Sequence, residues 1–80
     1  MSVTKSWTVE IQITEADRQT NAEARLTIDD LDALMGHGTA RRNPNDSNVP
    51  VIGDELAAAR ALSNLSHLLL ETAVHKLEGF

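Results

Sequence analysis

The residues with the most chemistry to offer sit in one stretch, "GHGTARRNPNDSNVPVIGDEL", Gly36 to Leu56. It packs two arginines, two prolines, three asparagines and three glycines into twenty-one residues. Guanidinium forks match phosphate geometry, so Arg41 and Arg42, with Asn43 and His37 beside them, form the candidate recognition set, and an RNA phosphate is the ligand they could grip. The same arginines have a structural use, one on each side of a strand and paired with Glu10, Glu23 or the acids Asp54 and Glu55, with Arg60 joining the network. That pairing is the stronger expectation. Gly36 and Gly38 resemble part of a phosphate-cradling loop, but neither a Walker pattern nor the full dinucleotide fingerprint is present, and the strand-to-helix join falls after Pro50 instead.

Other reactive side chains do not assemble. His67, Glu71 and His75 fall at i, i+4 and i+8 along one side of a helix, yet the two histidines are about 12 Å apart at 1.5 Å per residue and no fourth ligand is evident. A solvated face is expected there, not a metal site. Ser63 and Ser66 lie on the same helix without a base to activate them. The acids Asp29, Asp30 and Asp32 lack the length and terminal glutamate of a calcium loop and read as a charged turn. Single-strand binders stack bases on aromatic rings, and this chain offers only Trp7 and Phe80. The expectation is a non-enzymatic protein with no catalytic residue, no metal, no cofactor and no evident small-molecule substrate.

Composition narrows the setting. Eighty residues make one domain, and a chain so short buries a modest share of its surface, so its stability alone is marginal and dimerisation is one remedy. With no cysteine there is neither a disulfide framework nor thiol chemistry. No apolar run approaches the roughly 20 residues of a membrane span, and "MSVTKSWTVE" lacks a signal-peptide core, so a cytoplasmic protein without membrane contact is expected. The net charge of -5 and pI near 4.9 argue against a broad nucleic-acid footprint while leaving room for a local basic patch.

The elements that must position these residues follow from periodicity. "WTVEIQITE" alternates, with Trp7, Val9, Ile11 and Ile13 on one face and Thr8, Glu10, Gln12 and Thr14 on the other, which predicts a half-buried antiparallel strand with Trp7 in the core. "EADRQTN" reads as a hairpin connection of several residues. "AEARLTI" gives a second strand, Ala22, Ala24, Leu26 and Ile28 inward. In "DDLDALMGHGTARRN", Asp29 or Asp30 could cap a short helix ended by Gly36, or residues 29–32 make a turn and Ala33 to Arg42 a third strand. The strand is preferred, with Gly36 and Gly38 marking a bulge or the close approach of another backbone. "NPNDSNVP" is an ordered loop stiffened by Pro44 and Pro50.

A helix is predicted from about Asp54, capped by Gly53 or Asp54, with His75 and Lys76 near its negative end and Gly79 as its stop. Ala58, Leu62, Leu65, Leu69, Ala73 and Leu77 draw one apolar stripe, broadened by Leu56, Ala59, Leu68 and Leu70. The stripe exceeds what three strands cover, and the surplus predicts a dimer surface.

"WTVEIQI", then "A-x-ARL", then "G-x-G-x-AR-x-NP-x-D-x-NVP" running into "IGDELAAARALSNL" resembles a family of short actinobacterial proteins of unknown function, from Trp7 to about Leu65. The resemblance implies an α+β fold like that of double-stranded-RNA-binding domains, a sheet on a helix, and a dimer. It also implies a dormancy or stress setting and a kinship of fold with ribosome hibernation promoting factors. This chain departs from the family's pattern at His37, between the glycines, at Arg42, before Asn-Pro, and at Val51, where an acid is common.

Two functions follow as expectations: a stress or dormancy module that contacts the ribosome or RNA, and a homodimeric protein-interaction module with no nucleic-acid role. The fold expected for both is a three-stranded antiparallel sheet, β-β-β-α in order, packed on one long C-terminal helix.

Overall fold

The computed structural model describes residues 1–28, 33–43 and 49–79. Three strands, β1 (Val9–Ala16), β2 (Gln19–Thr27) and β3 (Ala33–Arg41), form an antiparallel sheet in the order β1-β2-β3, and α1 (Pro50–Glu78) packs on one face of it. The α+β architecture and the preference for a third strand agree with the sequence reading. The turn expected at 29–32 and the Pro44 part of the loop lie outside the described residues.

The hairpin between β1 and β2 is tighter than expected. Ala16 pairs with Gln19, leaving Asp17 and Arg18 as the whole turn, and Asp17 takes a left-handed φ of 56°. Aspartate tolerates that region better than most residues, which lets a two-residue connection form without glycine.

The helix begins four residues earlier than predicted. Val49 is its N-cap and Pro50 stands in the first turn, with no side-chain cap. Proline's fixed φ is already helical and its missing N–H would have had no partner there, so Pro50 opens the helix instead of stiffening a loop. Gly53 and Asp54 lie inside the helix. Gly53 faces β2, where a Cβ would come 2.9 Å from Thr20 Oγ1. At the far end Gly79 donates its N–H to the His75 carbonyl at 3.1 Å.

Contact with the sheet runs through small residues. Ala57, Ala61 and Leu65 are buried in α1, at spacings of four, over Ala22, Ala24 and Leu26 of β2 and Ala40 of β3. A Cβ on Gly38 would strike the Ala57 carbonyl oxygen and the Ala61 amide nitrogen, and one on Gly36 the Ala61 carbonyl oxygen and the Leu65 amide nitrogen. The two glycines therefore serve the close approach of a second backbone, one of the two roles expected of them.

This approach draws the helix over β3 and β2 and leaves it barely touching β1. Val9, Ile11 and Ile13 pair with Leu26, Ala24 and Ala22 and so share their face, but they remain 37%, 37% and 44% exposed. Trp7 lies before the strand at 60% exposure, which corrects its placement in the core. The reason is distance: β1 stands two inter-strand spacings of about 4.8 Å from β3, beyond the flank of a helix seated on the glycines.

Candidate interaction site

The tip of the β1–β2 turn and the end of β3 meet the start of the helix. The Arg42 amide donates to the Arg18 carbonyl at 2.7 Å, tying the turn to the strand end. Arg18, Arg41 and Arg42 thus line one cavity of about 290 Å³, whose other walls are Glu15, Asp17, Thr20 and the first helical turn from Val49 to Gly53. Among the described residues, three arginines and two carboxylates line this cavity.

Of the candidate recognition residues, Arg41, Arg42 and Asn43 stay together at this end. His37 does not join them. It lies on the outer face of β3 four residues from Arg41, about 13 Å along the strand, with its Nδ1 3.8 Å from Glu23 Oε2 across the sheet. Arg18 is the member that sequence reasoning missed. Its place depends on the two-residue hairpin, and the only local hint was an Asp able to take the turn.

For Arg41 the expected pairing with a carboxylate is corrected. Arg41 Nη2 donates to Gln19 Oε1 at 3.1 Å, and not to Glu10, Glu23, Asp54 or Glu55. Gln19 and Arg41 are direct cross-strand partners, so the nearest acceptor is an amide. Gln19 in turn donates to Asn21 Oδ1, which also accepts from Thr39 Oγ1, both at 3.1 Å. Together they make a polar ladder on the sheet's outer face.

Arg60 serves elsewhere. Its Nη1 donates to the Thr39 carbonyl at 2.7 Å, and Asn64 Nδ2 donates to the His37 carbonyl. Both carbonyls belong to β3, an edge strand, so helix side chains occupy acceptors that another strand would use. At β1, the opposite edge, no side-chain donor covers the backbone among the described residues.

Among the described residues no group of His, Asp and Glu is placed to hold a metal. His67, Glu71 and His75 are exposed, and Ser66 donates back to the Ser63 carbonyl at 2.9 Å, a local helix bond and not a relay. No described helix is long and apolar enough to cross a membrane.

Several large apolar side chains stay exposed among the described residues. Along the helix flank turned away from Arg60 and Asn64, at 100° per residue, Leu62 is 42% exposed. On the outer side of the helix, Leu70, Val74 and Leu77 are 63%, 42% and 75% exposed. Of the predicted stripe, Leu65 is buried and Ala58 and Leu69 are half-buried, whereas Leu62, Ala73 and Leu77 are exposed.

This arrangement has close relatives. The uncharacterized protein MT1780 of Mycobacterium tuberculosis (strain CDC 1551 / Oshkosh) is 49% identical over 77 residues, which make up 96% of this chain and 81% of that one. The uncharacterized protein Rv2632c of Mycobacterium tuberculosis (strain ATCC 25618 / H37Rv) is 41% identical over 77 residues, 96% of this chain and 82% of its own. The crystal structure of Rv2632c matches with a TM-score of 0.89 at 40% identity, covering 98% of this chain and 92% of that one. The family model described as Rv2632c-like matches residues 5–80, so the likeness extends past Leu65 through the rest of the helix. The chain belongs to the Rv2632c-like family.

Proposed function

We propose that this protein is a non-enzymatic interaction module that acts as a homodimer. One observation carries the reading: Val9, Ile11 and Ile13 lie on the helix-bearing face of the sheet with no helix over them. A contiguous apolar strip is a contact surface by default. The core strengthens the case, because its buried apolar residues among those described are five alanines and two leucines, and so thin a core gains much from a further layer. Sedimentation velocity over a concentration series tests it. A species of twice 8.7 kDa that Ile11→Asp with Ile13→Asp converts to monomer is the expected result; a wild type monomeric up to about millimolar concentration, where Kd corresponds to only about 4 kcal/mol, sinks the proposal.

A second reading has its own support. Arg18, Arg41 and Arg42 gather at one end beside the start of a helix, whose positive pole favours anions. They could contact RNA or the ribosome, in line with the dormancy setting implied by resemblance. Arg25, near the other end of the sheet opposite Met35, and Arg60, bound to β3, weigh against a wide footprint. Cosedimentation with ribosomes across a salt series, beside an Arg41→Ala, Arg42→Ala variant, decides it: steep salt-dependent binding that the variant loses supports RNA contact, and no binding at low salt removes it.

A further inference from the structure

Thr20 is 6% exposed, yet its hydroxyl makes no hydrogen bond among the described residues. No sealed side-chain oxygen or nitrogen in those residues lacks a partner, so this hydroxyl opens onto space. The space beside it is the cavity of about 290 Å³ at the start of α1, which Thr20 lines. Gly53 keeps the way clear, since a Cβ there would stand 2.9 Å from Thr20 Oγ1. Glycine is a poor residue for a helix interior, and here it leaves a buried polar atom facing the cavity. A buried hydroxyl without a partner is costly, and a ligand that bonds to it removes the cost.

The remaining walls offer two chemistries. Arg42 follows Ala40 by two residues and so falls on the side of Thr20, the cross-strand partner of Ala40. Its amide is tied to Arg18, whose side chain has neither an ion pair nor a hydrogen bond among the described residues. Arg41 reaches outward to Gln19. Val49, Pro50, Ile52 and Leu56 add apolar surface, much of it exposed. The helix backbone contributes little, because Pro50 has no N–H and Ile52 donates to the Val49 carbonyl at 3.0 Å.

We infer that this cavity binds a small organic carboxylate with an apolar body. The forks of Arg18 and Arg42 take the carboxylate, the Thr20 hydroxyl donates to it, and the apolar body covers Ile52 and Leu56. Glu15 and Asp17 in the same lining oppose a more highly charged anion such as a phosphate monoester. The volume stands at the lower end for small-molecule sites, about 300 Å³, and no aromatic ring among the described lining residues stacks a base. The inference is independent of the homodimer and gives two arginines of the RNA reading a different ligand.

Proton–nitrogen correlation NMR of the full chain tests it, with hexanoate, benzoate, inorganic phosphate and a short single-stranded RNA titrated separately. The amides of Thr20, Ala40 and Gly53 are expected to shift and saturate with hexanoate or benzoate at a Kd of about millimolar. Thr20→Val should weaken this about five-fold and Arg18→Gln about ten-fold, with Tm in Thr20→Val unchanged or raised. No saturable shift up to about 50 mM, or binding that both variants leave unchanged, overturns the inference. A lowered Tm in Thr20→Val would show a hydroxyl already satisfied and overturns it too. Tighter binding of phosphate or RNA at these amides than of either carboxylate replaces it with the RNA reading, whereas hexanoate or benzoate binding without ribosome cosedimentation removes the RNA reading alone.

Discussion

Gly38 of β3 and Ala61 of α1 meet backbone to backbone. A Cβ on Gly38 would strike the Ala61 amide nitrogen and come 2.8 Å from the Arg60 carbonyl carbon, and one on Gly36 would come 2.9 Å from Leu65 Cα. No side-chain rotation relieves a contact made by backbone atoms, so the helix would have to lift along its buried line.

Gly38→Ala is accordingly expected to destabilise the fold by about 3 kcal/mol or more, the upper range for overpacking a tight core, and Gly36→Ala similarly. For a domain of this size that lowers Tm by about 15 °C. Thermal unfolding followed by circular dichroism checks it; a loss under about 1 kcal/mol would mean the helix does not rest on these glycines.

The β3 edge offers a gentler probe. Arg60 and Asn64 each hold one edge carbonyl, and truncating either removes an exposed hydrogen bond without opening the core. Arg60→Ala and Asn64→Ala should each cost about 1 kcal/mol in urea unfolding. The double variant should add a tendency to associate through the uncovered strand edge, read as concentration-dependent light scattering.

How much of this was legible in the sequence depends on which force set each feature. Alternation in Val9 to Ile13 and Ala22 to Ile28 gave both strands and their common face, because side-chain period in a strand is fixed by geometry. It could not say how far the helix reaches. The leucine stripe left out Ala57 and Ala61, which with Leu65 are the buried residues of the helix, since backbone proximity at Gly36 and Gly38 selects small residues over large ones. The acids near Gly53 imitate a helix start, whereas Pro50 opens the helix. Arg18 stayed hidden because its neighbours come from β3, and only the hairpin register brings them together.

Leu26 and Trp7 reverse the order that size alone predicts. Leu26 is the largest fully buried side chain among the described residues, at 1% exposure, and Trp7 is largely in solvent. Leu26→Ala should cost about 3 kcal/mol, whereas Trp7→Ala should cost about 0.5 kcal/mol or less. Chemical denaturation of both variants, at a concentration where each is monomeric, gives the comparison, and a larger loss at Trp7 would place the tryptophan back in a core.

Gly53 and Thr20 test the opening of the helix. Glycine inside a helix costs about 1 kcal/mol relative to alanine, so Gly53→Ala should stabilise unless something stands in the way. Here Thr20 does: its Oγ1 lies 2.9 Å from where the Cβ would be, and Thr20 is 6% exposed and β-branched, with little freedom to turn aside. In the wild-type background crowding and propensity nearly cancel, and Gly53→Ala is expected within about 0.5 kcal/mol of neutral. With Thr20→Ala already present the obstruction is gone, and the same change should stabilise by about 1 kcal/mol. Equal effects in the two backgrounds, measured as a double-mutant cycle in urea, would show that the first turn of α1 is not packed on β2 through this pair.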